Sequence, residues 1–376
     1  MIPVEPAITE YLHKKASAAR IPLSGSFELT PVCNMSCRMC YVRMTRQQQE
    51  AIAPLHSAEE WLSLAAEAKK HGLLYLLLTG GEPFLHPQFR QILSGLHQMG
   101  FVISINSNGT MIDEACVQWL KECPPNRINI TLYGASDETY HRLCGNPNGF
   151  AQVTRGIELL MEAGISVKLN YSITPYNAAD FDAIMGYARE KELPVQASSY
   201  MFPPLRRDPT MVGLNDRFTP EEAAYYAAKI EASLSGEETF LARPDAELPP
   251  MSGDLDEVCG ETGDIMRCRA GRCSFWVTWE GRLMPCGMLP VQGEKSVFEH
   301  DFIQCWQDAV SAVETIRLPA KCQTCQLKEA CHSCAAMVIT ESGSYQKVPK
   351  YRCAMAMAYP AARKRLKDEI LAKKND

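Results

Sequence analysis

The chain has 376 residues, 46% of them hydrophobic, a formal charge of −6 and a pI near 5.8. That length buries a sizeable core in two or three domains, and the mild acidity offers no global field to a phosphate backbone, which excludes nucleic acid as a first partner. The apolar stretch 73–78 is too short to cross a bilayer, and Glu5 and Glu10 fall where a signal peptide needs an apolar core. A cytoplasmic protein without a membrane partner is expected.

After an N-terminal extension, residues 1–25, short apolar runs alternate with amphipathic stretches. Strands are expected at 26–33, 74–79, 102–106, 127–133, 167–173 and 195–201, and helices at 58–71, 87–99, 114–121, 151–163 and 179–191. Gly72, Gly100 and Gly164 close several of the helices. Repeated strand–helix units require parallel strands with right-handed crossovers, so the fold class is α/β, a partial (β/α)6 TIM-like barrel over 26–240. Residues 241–265 gather Asp245, Glu247, Asp254, Asp256 and Glu257 with three prolines and read as an exposed acidic linker. Residues 266–353 form a small cysteine-rich domain with so little apolar core that metal would have to staple it. A basic amphipathic helix over 354–373 closes the chain, residues 354–376, as a docking or solvated helix.

The sixteen cysteines, without an export signal, point to metal ligands or reactive thiols in preference to disulfides. Nine lie from Cys268 to Cys353 and the other seven are spread over the chain before them, so two ligand-bearing regions are implied. The first is Cys33, Cys37 and Cys40, spaced C-x3-C-x2-C just after the first strand. Three thiolates on a four-iron cube leave one iron open to an outside ligand. On spacing alone, a zinc site borrowing a fourth ligand remains open.

With Tyr41 directly after Cys40, this signature resembles the radical S-adenosylmethionine (SAM) superfamily. Gly80-Gly81-Glu82-Pro83, by itself only a turn signal, ends the second strand where that family has its GGEP motif. The resemblance implies that Gly80, Gly81, Glu82 and Pro83 hold the methionine amino group of the cofactor. Asn106-Ser107-Asn108-Gly109-Thr110 is similar to the family's turn near the ribose and adenine, which makes Asn106 and Asn108 candidates. Thr131 takes the fourth-strand position where relatives carry Ser or Thr, and Asn170 on the fifth strand is a ribose candidate. Arg155 resembles the arginine that pairs with the methionine carboxylate, a group suited to a charge-assisted fork. Each could equally serve as an ordinary polar loop residue, and no catalytic acid or base is identified.

The second region, Cys268, Cys273, Gly281, Cys286, Cys322, Cys325, Cys331, Cys334 and Cys353, resembles the SPASM domain, although Cys331-x2-Cys334 is one residue short of that pattern. The resemblance implies two auxiliary clusters, one on Cys268, Cys273, Cys286 and Cys334 and the other on Cys322, Cys325, Cys331 and Cys353. Paired C-x2-C units alone are also what structural zinc sites show. Cys116, Cys123, Cys144, Cys259 and Cys305 receive no role, since a cysteine outside any motif is usually a small buried hydrophobe.

The family resemblance thus implies an enzyme with SAM and three 4Fe-4S clusters, one binding SAM and two auxiliary. Its shared half-reaction is reductive cleavage of SAM to a 5'-deoxyadenosyl radical that abstracts hydrogen. The expected substrate is a peptide or protein side chain, cross-linked or oxidised, by analogy with relatives that carry two full auxiliary clusters. A separate peptide-recognition protein or direct docking is implied, because only about 25 residues precede the first strand, together with an electron donor such as flavodoxin or ferredoxin. Gly287 stands where sulfatase-maturing relatives carry Asp, which counts against that activity. A small-molecule dehydrogenase acting on an alcohol or sugar, and a non-catalytic metal or electron-transfer scaffold, remain as alternatives.

Overall fold

All six strands expected from the apolar alternation form: β1 (Ser24–Glu28), β2 (Tyr75–Thr79), β3 (Val102–Ser107), β4 (Arg127–Thr131), β5 (Val167–Ser172) and β6 (Val195–Ser198). Two more, β7 (Ser274–Val277) and β8 (Leu283–Met284), come from the cysteine-rich region. The structure, a computed structural model, describes residues 6–207, 209–214, 216–244, 266, 268–290, 295–327 and 331–375. Cys259 and the acidic stretch beyond Pro244 lie outside the described residues. Among the described residues no helix is long and apolar enough to cross a membrane.

Contacts divide the chain into two compact units, residues 4–170 with 267–315 and residues 171–266 with 316–376. These units interleave the sequence, in contrast to the linear segments expected from composition. The reason in the first unit is β7, which pairs in parallel with β1, Ser24 opposite Ser274 and Phe27 opposite Val277. The first unit's strands run β5-β4-β3-β2-β1-β7-β8, all parallel except the last pair. From β1 to β5, sequence neighbours are sheet neighbours with no reversal, which is how a barrel is wound and not how a doubly wound sheet with a switch point is built.

The strand faces explain the helices. Leu76, Leu78, Ile103, Ile105, Ile128 and Ile130 are fully or almost fully buried. Their alternates Tyr75, Leu77, Val102, Ser104 and Asn106 are only half-buried, leaving a mixed polar and apolar, partly open face on β2 and β3. The helix Ala58–Lys70 starts at a capping box in which Ser57 and Glu60 bond reciprocally to each other's backbone amides, and it buries Trp61 against Phe27 with ring centroids 5.0 Å apart. Residues 1–25 contain the helix Ala7–Ala19 as well as the start of β1.

Two strand ends fall short of expectation for visible reasons. β1 stops at Glu28 and not at 33, because Pro31 has no N–H and the Thr30 and Val32 carbonyls accept from the Gly81 and Glu82 amides. β4 stops at Thr131 and not at 133, where the Tyr133 amide donates to the Tyr140 hydroxyl at 3.1 Å.

In the second unit, Ile173 just beyond β5 donates to the Ser198 carbonyl of β6 at 2.8 Å. The helix Pro220–Ser235 packs on the C-terminal helix Lys350–Asn375 through Ala228, Ala232, Leu366 and Ile370, with Phe240 in the same apolar cluster. The C-terminal helix begins four residues earlier than expected, which places Cys353 in its first turn.

Candidate functional site

The three-cysteine loop is shaped by its own backbone and by a helix end. The Met35 amide points at Cys33 Sγ at 3.4 Å and the Arg43 amide at Cys40 Sγ at 3.3 Å. Ser36 and Arg38 donate their amides to the Cys144 and Leu143 carbonyls, at 2.8 and 3.1 Å. Those carbonyls end the helix Asp137–Cys144 and have no partner within it, so the loop completes the helix as the helix fixes the loop. Gly145 terminates the helix with φ +69°, and a Cβ there would lie 2.4 Å from Ser36 Oγ.

Burial pushes the Cys33 thiol up to about 12, with the charges of Glu82, Cys37 and Cys40 adding to the rise. A hydrogen bond with Cys144, reinforced by burial, holds the Cys37 thiol well above its ordinary value. Cys144 and Tyr133, both in contact with Cys37, carry no spacing signal and were not singled out from sequence. Soft thiols with amides aimed at their sulfurs suit an iron–sulfur cluster, whose binding would displace the thiol protons.

The Gly80-Gly81-Glu82-Pro83 turn lies directly against the strand that leads into this loop. Gly81 donates to the Thr30 carbonyl at 2.7 Å, and Glu82 donates to the Val32 carbonyl at 2.9 Å. A Cβ on Gly81 would sit 2.5 Å from the carbonyl oxygens of both Pro31 and Val32, so only glycine lets the two backbones meet. Gly81→Ala is expected to push them apart, at a cost of about 1–3 kcal/mol of overpacking. Thermal unfolding and bound iron should both fall; unchanged iron content would show that the close approach is dispensable.

Glu82 is fully buried and its carboxylate accepts three hydrogen bonds, from the Asn108 amide at 2.8 Å, the Ser107 hydroxyl at 2.9 Å and the Phe84 amide at 3.3 Å. Burial outweighs those donors and pushes the carboxyl up to about 7. Because the folded-state value lies above the ordinary one, the neutral form favours folding below about 4.5, and that contribution is lost as the pH rises through about 7. Binding of an ammonium group runs the other way, since it needs the carboxylate. Affinity for SAM, measured by equilibrium dialysis, should therefore strengthen as the pH rises toward about 7, by up to roughly tenfold per unit. Glu82→Gln should flatten that dependence.

The stretch after β3 joins the cysteine loop to Glu82. Asn108 lies beside Cys33 (Nδ2 to Sγ, 3.6 Å) and donates to Asn34 at 2.8 Å, while the Thr110 hydroxyl donates back to Asn108 at 2.7 Å. Gly109 takes φ +77° under Val153 and Ile130, the conformation that Asn-Gly favours. Asn106 lies two residues earlier, on β3, and accepts from Asn129 at 2.8 Å. Thr131 and Asn170 stand opposite each other in register toward the C-terminal ends of β4 and β5, both half-buried.

Tyr41 follows Cys40, half-buried. Arg155 sits on the helix Gly149–Glu162 and pairs with Glu114, both side chains more than half exposed. A bond from Arg155 to a methionine carboxylate requires that pair to open. Arg43, not singled out from sequence, has its Nε buried without a partner.

Of the auxiliary cysteines, the structure brings four together in the second unit. Cys322, Cys325, Cys331 and Cys353 line one cavity of about 240 Å³, otherwise walled largely by Leu318, Pro319, Leu327, Pro349 and Ala356. Burial pushes the Cys353 thiol up to about 12, with the other three cysteines adding to it. Among the described residues no three His, Cys, Asp or Glu side chains converge tightly enough for a single ion. Four thiols around one cavity are a donor set for an iron–sulfur cluster or for zinc.

The other four expected ligands are less alike. Cys268 is exposed, Cys286 is half-buried, and Cys273 is buried in an apolar cluster with Ala16 and Leu23. Cys334 precedes the helix Ala335–Ser342 in the second unit. Cys116, Cys123 and Cys305 are buried.

Residues 27–188 match the Radical SAM superfamily, and the chain carries a radical SAM domain. It is similar to the AdoMet-dependent heme synthase of Methanosarcina barkeri, 23% identical over 341 residues, covering 87% of this chain and 95% of that one. A probable GTP 3',8-cyclase of Saccharolobus islandicus is 33% identical over 151 residues, 40% of this chain and 47% of the cyclase, so the match spans about half that protein's length. The subtilosin biosynthesis protein AlbA of Bacillus subtilis is 30% identical over 158 residues, 42% of this chain and 34% of AlbA. Among solved structures, Streptococcus suis SuiB bound to precursor peptide SuiA superposes with a TM-score of 0.66 at 15% identity, covering 92% of this chain and 80% of SuiB. SuiB has also been solved bound to S-adenosylmethionine. The shared fold is the mixed α/β partial barrel expected from the sequence.

Proposed function

We propose that the chain is a radical SAM enzyme that modifies a peptide or protein side chain, forming a cross-link or an oxidised product. Cys33, Cys37 and Cys40 would hold a 4Fe-4S cluster. Tyr41, the Gly80–Pro83 turn, Asn106, Asn108, Thr131, Arg155 and Asn170 would surround SAM. Bound there, cluster and cofactor supply reductive carbon–sulfur cleavage and a hydrogen-abstracting 5'-deoxyadenosyl radical. The protein's own part is to orient and to shield. The buried Glu82 carboxylate would accept an ammonium group, and the amides of Met35 and Arg43 favour the charged sulfurs.

The observation that carries this reading is Asn108, whose amide bonds Glu82 while its side chain lies beside Cys33, so that one residue links the ammonium site to the metal site. The peptide class is supported by AlbA's role in subtilosin biosynthesis and by SuiB's complex with a precursor peptide. Two auxiliary 4Fe-4S clusters, on Cys322, Cys325, Cys331 and Cys353 and on Cys268, Cys273, Cys286 and Cys334, would complete the metal content. A separate recognition protein and an electron donor such as flavodoxin or ferredoxin would serve it.

A second reading, a small-molecule substrate, is favoured by the near full-length match to the heme synthase, set against the 34% of AlbA that aligns. Anaerobic reconstitution with iron and sulfide, then SAM and dithionite, tests the class. About twelve irons and release of 5'-deoxyadenosine are expected; bound zinc without deoxyadenosine would overturn it. Deoxyadenosine yield raised by peptides encoded nearby would select the peptide reading, and yield raised only by tetrapyrroles the other.

A further inference from the structure

The cavity bounded by Cys322, Cys325, Cys331 and Cys353 has two polar groups in or beside it that cysteine ligation leaves unexplained. Ser333 lines the cavity and directs its backbone N–H at Cys331, yet its hydroxyl is buried and bonds to nothing. A buried hydroxyl without a partner costs about 1–3 kcal/mol, so such groups are rare unless something absent from the chain completes them. The chain turns into this position through His332, a non-glycine residue at φ +48°, an uncommon conformation.

The second group is Arg352, next to Cys353 in the first turn of the C-terminal helix. Its Nη2 donates to the Cys331 carbonyl and its Nη1 meets Met355 Sδ at 3.0 Å, while its Nε is buried without a partner. The guanidinium charge is felt by both Cys331 and Cys353. The remaining wall is largely apolar, so few other dipoles screen it.

We infer that Ser333 and Arg352 are positioning residues that raise the reduction potential of the cluster held by these four cysteines. The Ser333 hydroxyl donates to a cluster or cysteine sulfur, and the Arg352 guanidinium holds positive charge beside Cys331 and Cys353. Reduction adds negative charge to the cluster and its sulfurs, so a donor and a cation at the ligands stabilise the reduced form more than the oxidised one. The inference rests on the four-cysteine assignment made under Proposed function.

The test is an EPR-monitored potentiometric titration of the full reconstituted chain with dithionite and mediators, with iron counted on each sample. Cys353→Ala should remove about four irons and one EPR component, which identifies the signal. Full iron retention in that variant would defeat the assignment itself. Ser333→Ala and Arg352→Met should each keep the wild-type iron count and move that component to more negative potential. At a fixed potential the reduced-to-oxidised ratio should fall about tenfold, equivalent to about 59 mV for one electron. Ser333→Thr and Arg352→Lys, which keep the hydroxyl and the charge, should recover most of the shift. An unmoved midpoint with full iron would overturn the inference, as would iron loss in Ser333→Ala, which would make the hydroxyl a packing group.

Discussion

Replacing Cys33, Cys37 and Cys40 together with alanine should remove about four irons and abolish deoxyadenosine formation, while the EPR signals of the other clusters persist. The expected loss is complete because each thiol occupies a separate place in the loop. Cys33 is beside Asn108, Cys37 faces Cys144 and Tyr133, and Cys40 receives the Arg43 amide. Cys144 is the control. It lies against Cys37 but outside the C-x3-C-x2-C spacing, so Cys144→Ser should retain those four irons. Deoxyadenosine still produced by the triple variant would end the assignment of this loop as the catalytic metal site. Because burial holds the Cys33 thiol near about 12, iron loading must expel a tightly held proton, and reconstitution should proceed faster at higher pH.

Glu341→Ala should destabilise the second unit by about 3–5 kcal/mol, the usual result of removing one partner from a buried ion pair. Arg217 grips Glu341 with two bonds, Nη1 to Oε1 at 2.6 Å and Nη2 to Oε2 at 2.8 Å, and the side chains are only 5% and 2% exposed. The Tyr200 hydroxyl donates to the same Oε1 at 2.6 Å, and the guanidinium lies 3.5 Å from the centre of the Tyr351 ring. Truncating the carboxylate leaves a desolvated guanidinium without a counter-charge, held only by the Met201 and Gly213 carbonyls at 2.9 and 3.4 Å, with the Tyr200 hydroxyl and the Tyr351 ring beside it. Urea unfolding monitored by circular dichroism should show the loss. The double variant Arg217→Met, Glu341→Met should recover much of it, since no charge is then left buried. A single variant as stable as the parent would mean that water reaches the pair.

The barrel strands were legible because alternate apolar residues such as Leu76, Leu78, Ile103 and Ile105 recur with the period of a pleated sheet. The three-cysteine loop and the Gly80–Pro83 turn were legible from spacing, and the structure places their backbones in contact. β7 was not. It is four residues long, Ser274–Val277, and its partner β1 is some 250 residues away, a pairing that local periodicity does not encode. Cys144 escaped notice for the same reason, since its importance lies in touching Cys37 across 107 positions. Arg155 illustrates the converse: a helical arginine at a family-like position carries no sequence sign of the Glu114 pairing that the fold gives it.

The pairing of β1 with β7 also sets the order in which the molecule can be completed. At ribosomal rates of about 5–20 residues per second, β1 emerges roughly 10–50 s before β7 exists. Throughout that interval the outer N–H and C=O groups of Ser24–Phe27 form an open sheet edge, a template for pairing with another chain. The nascent protein therefore passes through a long aggregation-exposed stage that ends only when the cysteine-rich half supplies the missing strand. For the same reason a fragment cut at residue 240 would retain that raw edge permanently, and expression of the barrel alone should yield more self-associated protein than expression of the full chain.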